Sequence, residues 1–367
     1  MIESRLFKPL TIGGMQIQHR IGMAPLTRFR ASDSRAPVDI MVDYYTQRSA
    51  VPGTLLISEG TVACASGAGG FDNAPGIWTD EHIAGWKAVT DAVHRKGCFI
   101  FCQIFSMGRV ATAEGAKKEG VSVLAPSAIP LDEPGAAVPR AMTRAEIQQC
   151  VDDFVKASKN AIAAGFDGVE IHGANGYLLD QFLQDTTNQR TDEYGGSVEN
   201  RSRLVTEILE AAVRAIGSER VGLRLSPWST FQMTKMKDPV PQFSYVIGKT
   251  NRLRLAYLHL VESRVAGGSD AAGSESLDFA YPLWDGPILV AGGYKLGEAR
   301  RLVDEDHPNK DIVVMFGRDF ISNPDLVYRM KFGVQLTKYQ RQTFYSNDAV
   351  GYVDYPFSAE YLRSVKA

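Results

Sequence analysis

At 367 residues, with 44% hydrophobic and 22% charged side chains, the chain can bury a large core, which excludes a disordered protein. Its 40 basic and 42 acidic residues give a formal net charge of -2, so nucleic acid and anionic membranes are poor candidate partners. No basic and apolar leader opens the sequence and no apolar stretch approaches the ~20 residues of a membrane span, so we expect a cytoplasmic protein. The four cysteines form no CxxC pair, which predicts reduced thiols and no bound metal.

The first predicted element is a β-hairpin within Met1–Gln18, where Gly13 and Gly14 interrupt apolar residues. Beyond it, short runs of β-branched and apolar residues recur along the chain. Near-continuous apolar runs of this kind predict parallel strands that are covered on both faces. The eight runs are His19–Pro25, Thr54–Glu59, Cys98–Ile104, Asp167–Ile171, Val221–Ser226, Ala256–Glu262, Pro287–Ala291 and Ile312–Phe316.

Amphipathic segments between these runs carry helix signals. Thr143 and Glu146 form a capping box, Thr79 begins another helix, and Asn200–Gly217 repeats the pattern. Gly97 follows the last turn of the helix that Thr79 begins, as a C-terminal glycine does. Strands that alternate with helices predict either a closed (β/α)8 barrel or a doubly wound sheet.

The lengths of the loops favour the barrel. Returns from helix to strand are short, whereas exits from strand to helix extend over Phe105–Met142, His172–Glu199 and Arg264–Ser276. Long loops on one face are typical of the catalytic, C-terminal face of a TIM barrel. Because no linker or shift in composition marks a boundary, we predict a single α/β domain over residues 1–367. Its N-terminal hairpin would plug the opposite mouth of the (β/α)8 barrel.

Candidate catalytic residues directly follow the fourth run. If a helix begins near Asn175, then His172 and Asn175 lie on one side of it and can direct two N–H donors at one point. Such a pair stabilises an oxygen that gains negative charge, by roughly 3 kcal/mol per donor. Tyr177 could then deliver a proton to the carbon beside that carbonyl. The alternative is a polar loop with one hydrogen-bonded histidine.

Glycines follow the seventh and eighth runs, where TIM barrels commonly bind phosphate. Gly292, Gly293 and Gly317 would let backbone N–H groups face an anion, and Arg318 would add a bidentate charge. Each glycine turn is weak evidence by itself. Together, at the ends of adjacent strands, they predict a phosphate site.

The segment Glu170–Leu183, continued by Asn188–Arg201, resembles the core signature of the Old Yellow Enzyme family. The resemblance runs from Leu6–Leu10 to Gly351–Pro356 and is closest to the fungal branch, some of whose members act in alkaloid biosynthesis. It implies bound FMN, NADPH or NADH as hydride donor, and a small-molecule enone or enal as substrate. It also implies a ping-pong reaction, in which NAD(P)H reduces FMN and leaves before the C=C bond is reduced.

The same resemblance implies roles for individual residues. It assigns the carbonyl oxygen to His172 and Asn175, the proton to Tyr177, and the walls of the substrate pocket to Phe105 and Tyr345, although the family often has Trp at the first of these positions. Its flavin-binding residues correspond to Pro25, Leu26, Thr27, Gly60, Gln103, His172, Arg224, Gly292, Gly293, Gly317 and Arg318.

Four points stay open from the sequence. The segment Trp228–Gln242 is either a cap over the pocket or an ordinary surface loop, and the protein could be a monomer or a homodimer. A flavin-free aldolase or isomerase barrel is disfavoured because no lysine lies at a strand end and no carboxylate cluster suggests a metal. A flavin-binding protein without catalysis is disfavoured because Tyr177, His172 and Asn175 are all present.

Overall fold

The computed structural model describes residues 4–267 and 269–366. Within them, eight parallel strands form a closed barrel in which each strand pairs with its neighbours in chain order and the last pairs with the first. Every predicted run overlaps one of these strands, so the predicted barrel is confirmed. The strands are β1 Ile21–Met23, β2 Leu55–Ile57, β3 Phe99–Phe105, β4 Gly168–Gly173, β5 Val221–Leu225, β6 Tyr257–Val261, β7 Ile288–Ala291 and β8 Ile312–Phe316.

Helices cover the outside of the barrel. The predicted capping box of Thr143 and Glu146 is present, and Thr79, predicted as a helix start, forms a second one with His82. The third predicted helix begins two residues early, because Ser197 caps it. The helices are α1 Asp39–Arg48, α2 Asp80–Arg95, α3 Ala113–Glu119, α4 Arg144–Ala163, α5 Leu178–Leu183, α6 Val198–Ile216, α7 Val240–Asn251, α8 Leu296–Arg301, α9 Arg318–Ser322, α10 Leu326–Phe332 and α11 Ala359–Ser364.

Short elements occupy the loops. Three ladders of two residue pairs each join Thr61–Val62 to β3, Leu124–Ala125 to Arg140–Ala141, and Val265–Ala266 to Ser269–Asp270. A π-helix follows α8 at Leu302–Asp306. The 3-10 segments are Arg5–Phe7, Ala65–Gly67, Gly108–Val110, Ser218–Arg220, Phe231–Met233, Tyr281–Leu283 and Arg341–Thr343. No helix in the described part of the chain has both the length and the apolarity that crossing a bilayer requires.

The N-terminal hairpin closes the lower mouth of the barrel, as predicted, although Met1–Glu3 lie outside the described residues. Its strands, Leu10–Ile12 and Met15–Ile17, pair antiparallel and pack their apolar side chains against residues inside the barrel. Gly13 has a φ of +53°, and a Cβ there would lie 2.1 Å from the carbonyl oxygen of Glu219. Glycine is therefore the residue that lets the hairpin turn sit against the barrel wall.

The strand register places polar side chains in the upper half of the barrel interior. Arg224 on β5 lies opposite His172 on β4 and His259 on β6, and Gln103 on β3 lies opposite Glu170 on β4. Glu170 and His172 are two positions apart on β4, so they share the inward face. Because all strands run in the same direction, these groups meet below the long loops.

Candidate active site

His172, Tyr177 and Phe105 form one group of rings at the top of the barrel. The ring centroids of His172 and Tyr177 are 5.4 Å apart, and those of Phe105 and Tyr177 are 5.1 Å apart. His172 is the penultimate residue of β4, Phe105 ends β3, and Tyr177 stands directly before α5. Three residues that the sequence singled out are thus in contact.

The turn between β4 and α5 differs from the prediction. The predicted helix start near Asn175 is wrong, because α5 begins at Leu178 and Asn175 has a φ of +58°. The backbone N–H of Asn175 donates to Oγ of Ser226 at 2.8 Å, and the N–H of Gly176 donates to the Asp180 carboxylate at 2.8 Å. The position of Asn175 is therefore set by a contact with a distant residue. It does not share a helix face with His172.

Burial shifts the two candidate catalytic groups in opposite directions. Desolvation, reinforced by Arg224 and His259, holds the pKa of His172 well below its usual range, so its imidazole is neutral at neutral pH. Burial raises the pKa of the Tyr177 hydroxyl, which therefore keeps its proton. A neutral imidazole and a protonated phenol are the forms that donate hydrogen bonds and protons to a substrate oxygen or carbon.

A buried polar layer lies beneath these rings. The Glu170 carboxylate accepts from Nε2 of Gln103 at 2.7 Å and bonds to Nδ1 of His259 at 2.8 Å. Burial acts to raise the pKa of Glu170, but His259, Arg224 and the Gln103 hydrogen bond outweigh it, so the carboxyl is ionised at neutral pH. No sequence pattern indicated a role for Glu170 or His259, which are 89 positions apart.

The phosphate-site candidates come together in a cleft that opens beside Arg224. This central cleft runs from Asn175 and Arg224 to the glycines after β7 and β8, and its lining includes Pro25, Leu26, Gly292, Gly293, Gly317 and Arg318. A Cβ at Gly293 would lie 3.7 Å from Nη2 of Arg318. Arg318 also bonds to Asp270 at 3.1 Å, a carboxylate that sequence reasoning missed.

Gly60 lies against both Phe105 and Gln103. A Cβ at Gly60 would be 3.2 Å from the Phe105 ring and 3.5 Å from Oε1 of Gln103, so glycine avoids a tight contact with the Phe105 ring. Thr27 is half-buried directly after Leu26. The following residue, Arg28, donates its backbone N–H to the buried Glu59 carboxylate at 3.2 Å.

Aromatic rings continue from the catalytic group to the surface. Tyr177 contacts Phe71, Phe71 contacts Phe29, and Phe29 contacts Tyr345, with centroid separations of 6.3, 5.2 and 5.5 Å. Tyr345 is 55% exposed and therefore lies at the outer rim. Phe29 and Phe71, which no sequence pattern singled out, form the wall between this rim and Tyr177.

Only part of the predicted cap, Trp228–Gln242, borders the pocket. Gln232 packs against Gly176, where an added Cβ would lie 2.4 Å from the Gln232 Cβ. Gln242 belongs instead to α7 and bonds to Ser202 at 2.7 Å on the outside of the barrel. Arg109 holds the bordering segment, since its guanidinium donates to the carbonyls of Gln232, Met233 and Pro130 at 2.7, 3.2 and 3.1 Å.

These residues fit FMN. Although Nδ1 of His172 and Nε of Arg224 are buried, neither has a hydrogen-bond partner among the described residues. Buried polar atoms are nearly always paired, so two such atoms together point to a ligand that bonds to them. Arg224 could hold the electron-rich edge of a flavin ring, and the cradle of Gly292, Gly293 and Arg318 could hold its phosphate.

Comparisons with known proteins agree with this geometry. Residues 5–337 match the NADH:flavin oxidoreductase / NADH oxidase family. Chanoclavine-I aldehyde reductase of Penicillium roqueforti is 50% identical over 99% of each chain, and the probable inactive dehydrogenase easA of Claviceps purpurea is 47% identical over 99% of this chain and 97% of its own. The structure of Old Yellow Enzyme from Pichia sp. AKU4542 covers 97% of this chain and 94% of its own, with a TM-score of 0.91 and 37% identity.

Proposed function

The chain belongs to the NADH:flavin oxidoreductase / NADH oxidase family and is an FMN-dependent oxidoreductase, and on that premise we propose that it reduces the C=C bond of α,β-unsaturated aldehydes or ketones. FMN, when bound, accepts two electrons and a proton from NADPH or NADH and supplies them to this bond. The proposal depends on one observation. His172, Tyr177 and Phe105 contact one another beside Arg224, and the cleft that begins at Arg224 ends at the glycine cradle.

His172 and Asn175 bind the carbonyl oxygen of the substrate. The neutral imidazole of His172 and the side-chain amide of Asn175 are both N–H donors, and His172 has a buried nitrogen without a partner among the described residues. Donors of this kind stabilise the charge that the oxygen gains as the conjugated bond is reduced, by roughly 3 kcal/mol each.

Tyr177 supplies the proton for the carbon beside the carbonyl. Its hydroxyl keeps its proton because burial raises its pKa, and its ring lies between Phe105 and Phe71. A neutral phenol next to a bound enolate-like oxygen is a competent general acid.

Two observations support an unsaturated aldehyde as the preferred substrate. A relative that is 50% identical over nearly the whole chain is named an aldehyde reductase. The pocket wall of Phe105, Phe71 and Phe29 suits a substrate with an apolar body and one polar end. Phe at position 105, where the family often has Trp, leaves room for a substrate with a larger apolar part.

We also propose a cytosolic protein that is a monomer or a homodimer. Its four cysteines are free, and Cys98, Cys102 and Cys150 are buried, as is usual in a reducing compartment. Size-exclusion chromatography with light scattering would distinguish the two assemblies, and a larger assembly would contradict both.

The visible spectrum of the purified protein tests the proposed reaction. We expect a yellow protein that loses its colour when NADPH is added without oxygen and regains it when cinnamaldehyde follows. A protein that bleaches but recovers with no unsaturated aldehyde or ketone would be a flavoprotein without this activity, in line with the relative named probable inactive. A colourless protein that cannot be loaded with FMN would contradict the proposal entirely.

A further inference from the structure

The polar layer beneath the active site contains a carboxylate to which no role has been given. Glu170 is fully buried on β4, and each of its oxygens has one partner. One oxygen bonds to Nδ1 of His259, and the other accepts from Nε2 of Gln103. Arg224, the nearest fixed cation, lies between His172 and His259 in the strand register.

The contact with Glu170 determines which way the Gln103 amide faces. An ionised carboxylate can only accept hydrogen bonds, so the group of Gln103 that faces it must be the NH2 group. The carbonyl oxygen of the amide then points the other way. The structure agrees, because Oε1 of Gln103 lies 3.5 Å from the position of a Cβ on Gly60.

That orientation suits one edge of a flavin. The pyrimidine edge of an isoalloxazine carries a single N–H between two carbonyl oxygens. An amide that presents its oxygen can accept from this N–H, whereas an amide that presents its NH2 group cannot. A glutamine free to rotate would present either group, and half of the possible orientations would leave the flavin N–H unpaired.

We propose that Glu170 is a positioning residue for FMN, which fixes Gln103 so that the amide oxygen of Gln103 faces the cofactor. The proposal rests on the FMN site described above and goes beyond it, because Glu170 need not touch the flavin. His259 supports the arrangement by occupying the second carboxylate oxygen, which keeps the first one directed at Gln103.

A double-mutant cycle on FMN affinity tests the proposal. The dissociation constant for FMN is measured by fluorescence titration of flavin-depleted wild type, Glu170→Gln, Gln103→Leu and the double variant. We expect Glu170→Gln to raise the dissociation constant about tenfold, the value of one good hydrogen bond. In the Gln103→Leu background the same change should have less than about a twofold effect, because Glu170 acts through Gln103.

The reduction potential provides a second readout that a purely structural role would not move. A freed NH2 group of Gln103 near the flavin favours the reduced, negatively charged ring, and the shift that remains in the Gln103→Leu background is the effect of the Glu170 charge alone. We expect Glu170→Gln to shift the two-electron equilibrium about tenfold toward reduced flavin, which is about 30 mV. Asp325→Asn is the matched control, since Asp325 is a fully buried carboxylate that bonds to Arg329 and Ser358 outside the barrel.

The outcomes separate this inference from the proposed function. Wild type that does not bind FMN would contradict the function itself. Wild type that binds FMN, with an additive cycle or an unchanged potential in Glu170→Gln, would overturn only the role of Glu170. If Glu170→Gln does not fold, Glu170→Asp takes its place in the cycle, because it keeps the charge but withdraws the carboxylate from Gln103 by one methylene.

Discussion

At the scale of single residues, burial shifts the pKa values of His172 and Tyr177 in opposite directions and leaves both groups neutral. It keeps the His172 imidazole neutral and the Tyr177 hydroxyl protonated, so that both groups are donors at neutral pH. Burial is the largest cause of both shifts. The active site therefore combines two neutral donors with one fixed cation, Arg224.

Replacement of Tyr177 by Phe tests its role as proton donor. The variant keeps the ring that packs against Phe105 but loses the hydroxyl. We expect bleaching by NADPH at the wild-type rate and a loss of about 10²–10⁴-fold in the rate of enal reduction, the usual contribution of a general acid. Stopped-flow absorbance measures the two half-reactions separately. Full enal turnover in this variant would remove Tyr177 from the reaction.

Replacement of His172 and Asn175 by Ala tests the oxygen-binding pair. A phenolate ligand mimics the electron-rich oxygen, so the double variant should bind p-chlorophenol at least about 100-fold more weakly, which corresponds to the loss of two hydrogen bonds. Perturbation of the flavin spectrum on titration reports this binding. Asn347→Ala on the exposed rim is the control and should bind the phenol as wild type does. Equal affinity in the double variant would contradict the assignment.

The buried carboxyl group of Glu59 should make the free energy of unfolding depend on pH. Burial raises its pKa to about 7, and the unfolded chain has the ordinary value near 4.5. The folded protein thus binds more protons between these values, so this group lowers stability as the pH rises from about 4.5 to about 7. Glu59→Gln should therefore be more stable than wild type at pH 8, by at most about 3 kcal/mol, and no more stable at pH 4.5.

Urea denaturation of the two proteins at both pH values measures this difference. Burial also raises the pKa of Asp180 to about 7. Because Asp180 is present in both proteins, its effect on stability cancels in the comparison. A stability difference that does not change with pH would show that Glu59 does not titrate in this range.

At the scale of elements, the parts of the fold that depend on neighbours in sequence were predictable. Apolar runs gave the eight strands, and Thr79 and Thr143 gave two helix starts, because periodicity and capping are local. The helix predicted near Asn175 failed because its turn depends on Ser226, which is 51 positions away. Likewise, Asp270 meets Arg318 and Phe29 meets Phe71 only once the barrel has closed.

Arg109 connects two loops that border the active site. Its guanidinium holds the carbonyls of Gln232 and Met233, whose positive φ values of 59° and 52° are unfavourable for these side chains. Loss of these bonds in Arg109→Met should release the segment, raise KM for the enal more than it lowers kcat, and loosen the backbone at the half-buried Lys235 and the exposed Lys237. We expect cleavage there by a lysine-specific protease to be about tenfold faster.

The control for this prediction is Arg140→Met. Arg140 belongs to the same long loop but forms an exposed ion pair with Glu146, which contributes little. The lysine-specific protease should cleave the Arg140→Met variant at the wild-type rate. Equal cleavage rates in all three proteins would mean that Arg109 does not hold the segment.

At the scale of the whole molecule, we propose that the chain unfolds as one unit. Ligand binding to the folded state alone stabilises it by about 2.7 kcal/mol at a hundredfold excess of FMN over its dissociation constant. For a chain of 367 residues that corresponds to about 3–4 °C in Tm. Circular dichroism and the release of flavin fluorescence should report the same transition, and two separated transitions would indicate more than one unit.

Arg318→Ala provides the comparison for this experiment. It removes the charged side chain of the glycine cradle without altering the barrel interior. The FMN-dependent rise in Tm should shrink in this variant, whereas the Tm without added FMN should stay within about 2 °C of wild type, as expected for a partly exposed surface substitution. An unchanged FMN effect would contradict the phosphate assignment.

The sealed lower mouth gives the molecule a back side that can be attached to a solid support. Gly14, in the hairpin turn, is exposed, and a Cβ there would meet no atom within 4 Å. A cysteine introduced at this position could couple the protein to a bead or an electrode surface. Because the catalytic loops are at the other end of the barrel, every immobilised copy would face the solution with its pocket outward.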